Sequence, residues 1–114
     1  MKQNELLENY KNLDLRKLPE QLTQHGLDFY LVERTESKLI FQQEKPAASF
    51  EVFINKIIPE RETAESFAKR YNTPYDATKY QDYKEVYPKN SEFGLRAWSY
   101  PRLELAKQKY NSLA

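Results

Sequence analysis

Apolar positions in the first 25 residues recur at helical spacing: Leu6, Tyr10 and Leu13 stand at i, i+4 and i+7, then Leu15, Leu18 and Leu22 at i, i+3 and i+7. Pro19 interrupts any single long helix, so the spacing predicts two short ones, the second starting near Leu18 or Pro19 and stopping at Gly26. From Leu27 the period changes to two. Leu27, Phe29 and Leu31 alternate with Tyr30 and Val32, which predicts a strand. After the polar turn Thr35-Glu36-Ser37, Lys38 to Gln43 predicts a second strand and Phe50 to Ile58 a third. The third has Phe50, Val52 and Ile54 on one face and Phe53 and Ile57 on the other, as expected of a strand that is central or covered on both sides. The linker Glu44-Lys45-Pro46-Ala47-Ala48-Ser49 is too long for a tight hairpin and leaves the pairing partner open, with a small antiparallel meander the simplest arrangement.

Pro59 opens a helical pattern with Ala64, Phe67, Ala68 and Tyr71 on one face, closed by Asn72-Thr73-Pro74. Tyr80, Tyr83 and Tyr87 fit a helix that begins after Asp76 or Thr78 and ends at Pro88, but an extended run through Lys84 to Tyr87 fits nearly as well. Asn90 to Tyr100 reads as a strand, with a helical turn from Ser91 as the alternative, and Pro101 starts a last helix with the stripe Leu103, Ala106, Tyr110 and Leu113. The expected fold is α+β: a small antiparallel sheet of three to four strands with helices packed on one face. It is expected as a single domain over residues 1–114, made of a helical segment (1–26), a β-meander (27–58) and a mixed helix and strand segment (59–114).

Composition narrows the chemistry. With 114 residues, 39% of them apolar and 31% charged, the chain can form one thin core. The net charge is +1 and the pI about 7.8, without a basic half: 8 basic against 9 acidic residues precede Pro59, and 10 against 8 follow from it. A surface built for nucleic-acid backbones is usually far more basic, so phosphate contacts are expected only locally. The absence of cysteine excludes disulfides, thiolate metal sites and a cysteine nucleophile. No apolar run approaches the ~18 residues of a membrane span, and the start MKQNELLENYKN lacks the apolar core of a signal peptide, so a cytoplasmic location and no membrane partner are expected.

Glu85-Val86-Tyr87-Pro88, Phe93-Gly94-Leu95-Arg96-Ala97-Trp98-Ser99-Tyr100 and Leu103-Glu104-Leu105-Ala106 spell E-x-Y-P, F-G-x-x-A-W-x-Y and L-E-x-A. This pattern resembles one found in small uncharacterised proteins of bacteriophages and bacterial mobile elements, in which a strand similar to Phe50–Ile54 often precedes it. The resemblance spans residues 50–113 at most; it implies a biological context and assigns no site residue.

His25, the single histidine, has no H-E-x-x-H partner and reads as a helix-end residue before Gly26 rather than a metal ligand. The pairs Glu60/Glu62, Glu62/Glu65 and Asp82/Glu85 have the composition of an acid–base pair or a hard-cation site, with a metal-dependent hydrolase using Glu60, Glu62 and Glu65 as that reading. They lie among lysines and arginines, which favours solvated ion-pairing faces. There is no G-x-S-x-G elbow, and two glycines in the whole chain leave no phosphate-cradling loop. No enzyme activity and no cofactor are expected. Six of the nine tyrosines and the single tryptophan fall between Tyr71 and Tyr100. Tyr71 is assigned to the inward face of its helix, and Trp98 and Tyr100 to a strand. Tyr75, Tyr80, Tyr83 and Tyr87, with Lys79, Lys84 and Arg96, remain as the candidate partner-binding residues. The expected function is a non-enzymatic protein-interaction module, an accessory or inhibitory protein of a phage or mobile element. The alternative is a small nucleic-acid-binding protein whose rings stack bases, disfavoured by Asp76, Asp82 and Glu85 among the same residues. A free sheet edge would also allow a homodimer.

Overall fold

The computed structural model describes residues 2–114. Along the chain the elements are α1 (Gln3–Glu8), β1 (Leu15–Arg16), β2 (Gln21–Gln24), β3 (Leu27–Arg34), β4 (Lys38–Gln43), β5 (Ser49–Ile54), β6 (Ile57–Pro59), α2 (Arg61–Tyr71), β7 (Tyr83–Glu85), β8 (Ala97–Tyr100) and α3 (Leu103–Ser112), with 3-10 turns at Tyr10–Asn12, Ala77–Lys79 and Asn90–Glu92. The class is α+β, but the strands form two sheets, one of three and one of five strands, in place of a single sheet of three to four. The chain divides into two compact units: the first comprises the chain up to Leu18 together with Lys56–Val86, the second Pro19–Asn55 together with Tyr87–Ala114.

In the first unit the sheet order is β1-β7-β6, with β1 parallel and β6 antiparallel to β7. The two-residue period of each strand sorts its side chains. Leu15 and Tyr83, opposite each other in register, pack with Ile57 against Leu6 and Tyr10 in a small core. Arg16, Lys84 and Ile58, also in register, occupy the other face. Gln3 acts as a surrogate strand residue, since its amide donates to the Ile57 carbonyl at 2.6 Å and accepts from the Ile57 N–H at 2.9 Å. Glu85 is buried in this unit with its carboxylate satisfied by the Tyr10 hydroxyl at 2.9 Å and the Leu18 N–H at 2.8 Å.

The second unit is an antiparallel sheet ordered β2-β3-β4-β5-β8. On one face Ile40, Phe50 and Val52 pack against Ala106 and Tyr110 of α3, with Tyr100 and Leu113 at the margin. On the other, Phe29, Phe41 and Phe53 surround the ring of Tyr87 at centroid distances of 5.4, 5.5 and 5.0 Å. β5 lies between β4 and β8, as its two apolar faces imply.

Four local expectations are corrected and one open choice is settled. The second N-terminal helix is strand β2, paired with β3 through Leu22↔Phe29 and Gln24↔Leu27. His25 and Gly26 have φ of 54° and 78° and form the two-residue turn whose twist matches a hairpin, so Gly26 is a hairpin turn residue and His25 stands at no helix end. The strand expected over Phe50 to Ile58 breaks at Asn55-Lys56, and its last piece joins the other sheet as β6. Of the two readings open for Tyr80 to Tyr87 the extended one holds: after a single 3-10 turn the chain runs extended into β7. The strand expected over Asn90 to Tyr100 is confined to Ala97–Tyr100. No helix among the described residues is long and apolar enough to cross a membrane.

Candidate functional site

Helix α2 places Ala64, Phe67, Ala68 and Tyr71 on one stripe, but the outward face of the first unit's sheet carries Arg16 and Lys84. A charged sheet face offers an apolar stripe little to bury against. Only Ala68 is buried in α2, while Phe67 and Tyr71 are 60% and 56% exposed with ring centroids 4.6 Å apart. Tyr71 therefore does not belong to an inward face.

The helix stops at Asn72, left-handed at φ 51°, whose follower Thr73 donates its N–H to the Ala68 carbonyl at 3.0 Å. Pro74 then turns the chain back to Tyr75. Its ring lies parallel to that of Tyr80, 5.9 Å away at an interplanar angle of 11°, and its hydroxyl donates to the Arg61 carbonyl at 3.3 Å. Asp76 shapes the next turn by accepting from the Thr78 N–H at 3.0 Å and hydroxyl at 2.6 Å, bonds that hold its carboxyl below the ordinary range. Arg61 clamps the whole return: it donates to the Tyr80 carbonyl at 2.6 Å and the Ala77 carbonyl at 3.3 Å and pairs with the Asp82 carboxylate. The loop is thus held by side chains of its own unit before any partner arrives.

Between α2, this loop and the outer sheet face lies an open groove of about 490 Å³, lined by Ala64, Phe67, Tyr75 and Tyr80 together with Arg16, Lys79 and Lys84. Such a volume is in the range of ligand clefts, roughly 300–1,000 Å³. At its base Glu60 is 6% exposed and accepts from Arg16 through Nε at 2.7 Å and Nη2 at 2.9 Å, and from the Gln81 N–H at 2.9 Å. The Arg16 hydrogen bonds hold the Glu60 carboxyl below its ordinary range, and Glu60 in turn raises the guanidinium. The Glu60 carboxylate thus fixes Arg16 at the groove.

Of the other acidic candidates, Glu65 pairs with Lys69 at 3.4 Å, Asp82 with Arg61, and Glu85 accepts from Tyr10 and the Leu18 N–H. Among the described residues no group of three or more histidines and carboxylates is placed to hold a metal ion.

Tyr75, Lys79, Tyr80 and Lys84 meet around this groove, as their clustering in sequence suggested. Tyr83 faces the opposite side of the sheet, in the Leu6–Tyr10–Ile57 core, because it is one residue out of phase with Lys84. Tyr87 belongs to the second unit, where burial among three phenylalanines and a hydrogen bond to Glu51 raise its hydroxyl far above the usual range. Arg96 is fixed in that unit by Glu92 at 2.7 Å and the Ile54 carbonyl at 2.6 Å. None of these three lines the groove. Sequence reasoning overlooked Phe67, whose spacing to Tyr71 in a helix otherwise rich in Glu, Lys and Arg was the available signal. It also overlooked Arg16 and Arg61. Arg16 had no local signal, because its partner Glu60 is 44 positions away.

Compared with models of protein families, with curated proteins and with solved structures, the chain gives no match.

Proposed function

We propose that the chain is a non-enzymatic protein-interaction module and that the groove of its first unit receives a segment of a partner protein. The observation that carries this reading is the parallel Tyr75–Tyr80 pair, tied back by Arg61 beside a Phe67 that is 60% exposed. Clustered, pre-positioned aromatic rings supply contact area at low entropic cost, and this is how interface hot spots are built. The non-enzymatic reading is supported by Glu60, the buried carboxylate at the groove, being fully used by Arg16 and Gln81. The motif resemblance of residues 85–106 supports an accessory or inhibitory role in a phage or mobile element, acting in the cytoplasm.

The test is selection of a random displayed peptide library on the wild-type chain and on Tyr75→Ala/Tyr80→Ala. The reading expects peptides enriched on the wild type to lose at least about tenfold in affinity on the double variant. No enrichment, or equal binding to both, contradicts it. Salt-steep binding of single-stranded oligonucleotides, at nearly one unit of log–log slope per phosphate, would put nucleic acid in the partner's place.

A further inference from the structure

Resting on that reading, we infer that the groove selects an acidic peptide segment, one in which an apolar or aromatic side chain is flanked by carboxylates. Three cations, Arg16, Lys79 and Lys84, line the groove against the single carboxylate of Glu60. Glu60 takes Arg16 in a two-pronged bond through Nε and Nη2, which leaves the arginine's Nη1 without a hydrogen bond among the described residues. Neither Lys79 nor Lys84 forms an ion pair there. Nearby acids offset them only in part: Glu65 is held by Lys69, while Asp76 and Glu60 feel the charges of Lys79 and Lys84 without pairing with them directly.

The groove therefore has two kinds of wall. Phe67, Tyr75 and Tyr80 present ring surface, while Lys79, Lys84 and the spare edge of Arg16 present donors in excess of the one carboxylate in the lining. An apolar side chain fills the first wall and leaves the second unanswered. A carboxylate next to it forms charge-assisted bonds with these cations, of which Lys84 is half-buried and Arg16 and Lys79 are exposed. A basic segment meets like charge and is rejected. The modest volume, about 490 Å³, suits one or two inserted side chains rather than a folded domain face.

The experiment is display selection on the full chain with three libraries of equal apolar content, whose remaining positions carry Asp and Glu, Asn and Gln, or Lys and Arg. Enrichment at least tenfold greater from the acidic library is expected, with the preference falling as salt rises. Lys79→Gln/Lys84→Gln should bring acidic and neutral libraries level, and Lys79→Glu/Lys84→Glu should shift enrichment to the basic one. Thermal melts of both variants confirm that they remain folded. Equal enrichment from all three libraries, lost on Tyr75→Ala/Tyr80→Ala, would overturn the charge inference while leaving the groove as a binding site. Absence of enrichment from any library, or enrichment that survives that double variant, would overturn both.

Discussion

Helices α2 and α3 are nearly equal in length, eleven and ten residues, and each carries one apolar stripe, yet they end in opposite states. In α3, Ala106 and Tyr110 are 0% and 3% exposed because the sheet beneath them presents Ile40, Phe50 and Val52. In α2 the corresponding aromatics stay in solvent because the sheet face on that side presents Arg16 and Lys84 with Ile58 as its single apolar in-register neighbour. A helix closes onto a sheet only where the alternation of the strands turns apolar residues toward it. Where the alternation turns charges, the same stripe is left for another occupant. A carboxylate from each unit shows the same contrast: Glu60 is tied to a guanidinium, Glu51 to the phenol of Tyr87.

The sharpest way to break this comparison is to truncate one aromatic on each helix. Tyr110→Ala should cost about 3–5 kcal/mol in urea unfolding, as for other buried aromatics, whereas Phe67→Ala should stay within about 0.5 kcal/mol, as for exposed positions. Similar losses would mean that α2 is packed after all. Next in size, Glu60→Gln should cost about 2 kcal/mol at neutral pH, because it withdraws the anion from Arg16. A double-mutant cycle with Arg16→Gln should show the two losses to be far from additive.

Smaller effects separate the two carboxylates by pH. The Glu60 pKa is lowered from its reference value of 4.5, so its contribution is present above that value and is lost as pH falls through the lower folded-state pKa. The Glu51 pKa is raised from 4.5, chiefly by burial and despite the Tyr87 hydrogen bond, so its contribution is present below that value and is lost as pH rises through the higher folded-state pKa. Melting temperatures across pH 3–7 should accordingly show a flatter acid limb for Glu60→Gln, and for Glu51→Gln a gain relative to wild type that grows as pH rises past about 4.5. Curves parallel to wild type for both variants would remove the contrast.

Much of the second unit could be read from local pattern. β3 and α3 announce themselves by a single period, and β4 by its short apolar run Leu39-Ile40-Phe41. The failures lie where a local pattern is decided by a distant partner. Leu15, Leu18 and Leu22 match a helix by coincidence; pairing of Leu22 with Phe29 and the left-handed turn at His25-Gly26 make a hairpin instead. Tyr83 and Tyr87 are four residues apart, yet one fills the first unit's core and the other the second's, a division visible only once β7 is paired. The groove was partly legible since Tyr75, Lys79, Tyr80 and Lys84 are close in sequence. Its Arg16–Glu60 base was not, because that pair spans 44 positions and neither residue sits in a recognisable motif.

The most direct test of the account is amide chemical-shift mapping of the isotope-labelled chain titrated with a peptide enriched from the acidic library. Saturating shifts are predicted at Arg16 and across residues 64–84, with Ile40, Val52 and Tyr110 unmoved. Shifts centred instead on Leu27, Tyr30 and Lys45, which line a separate cleft of the second unit, or shifts spread through the α3 core, would contradict it.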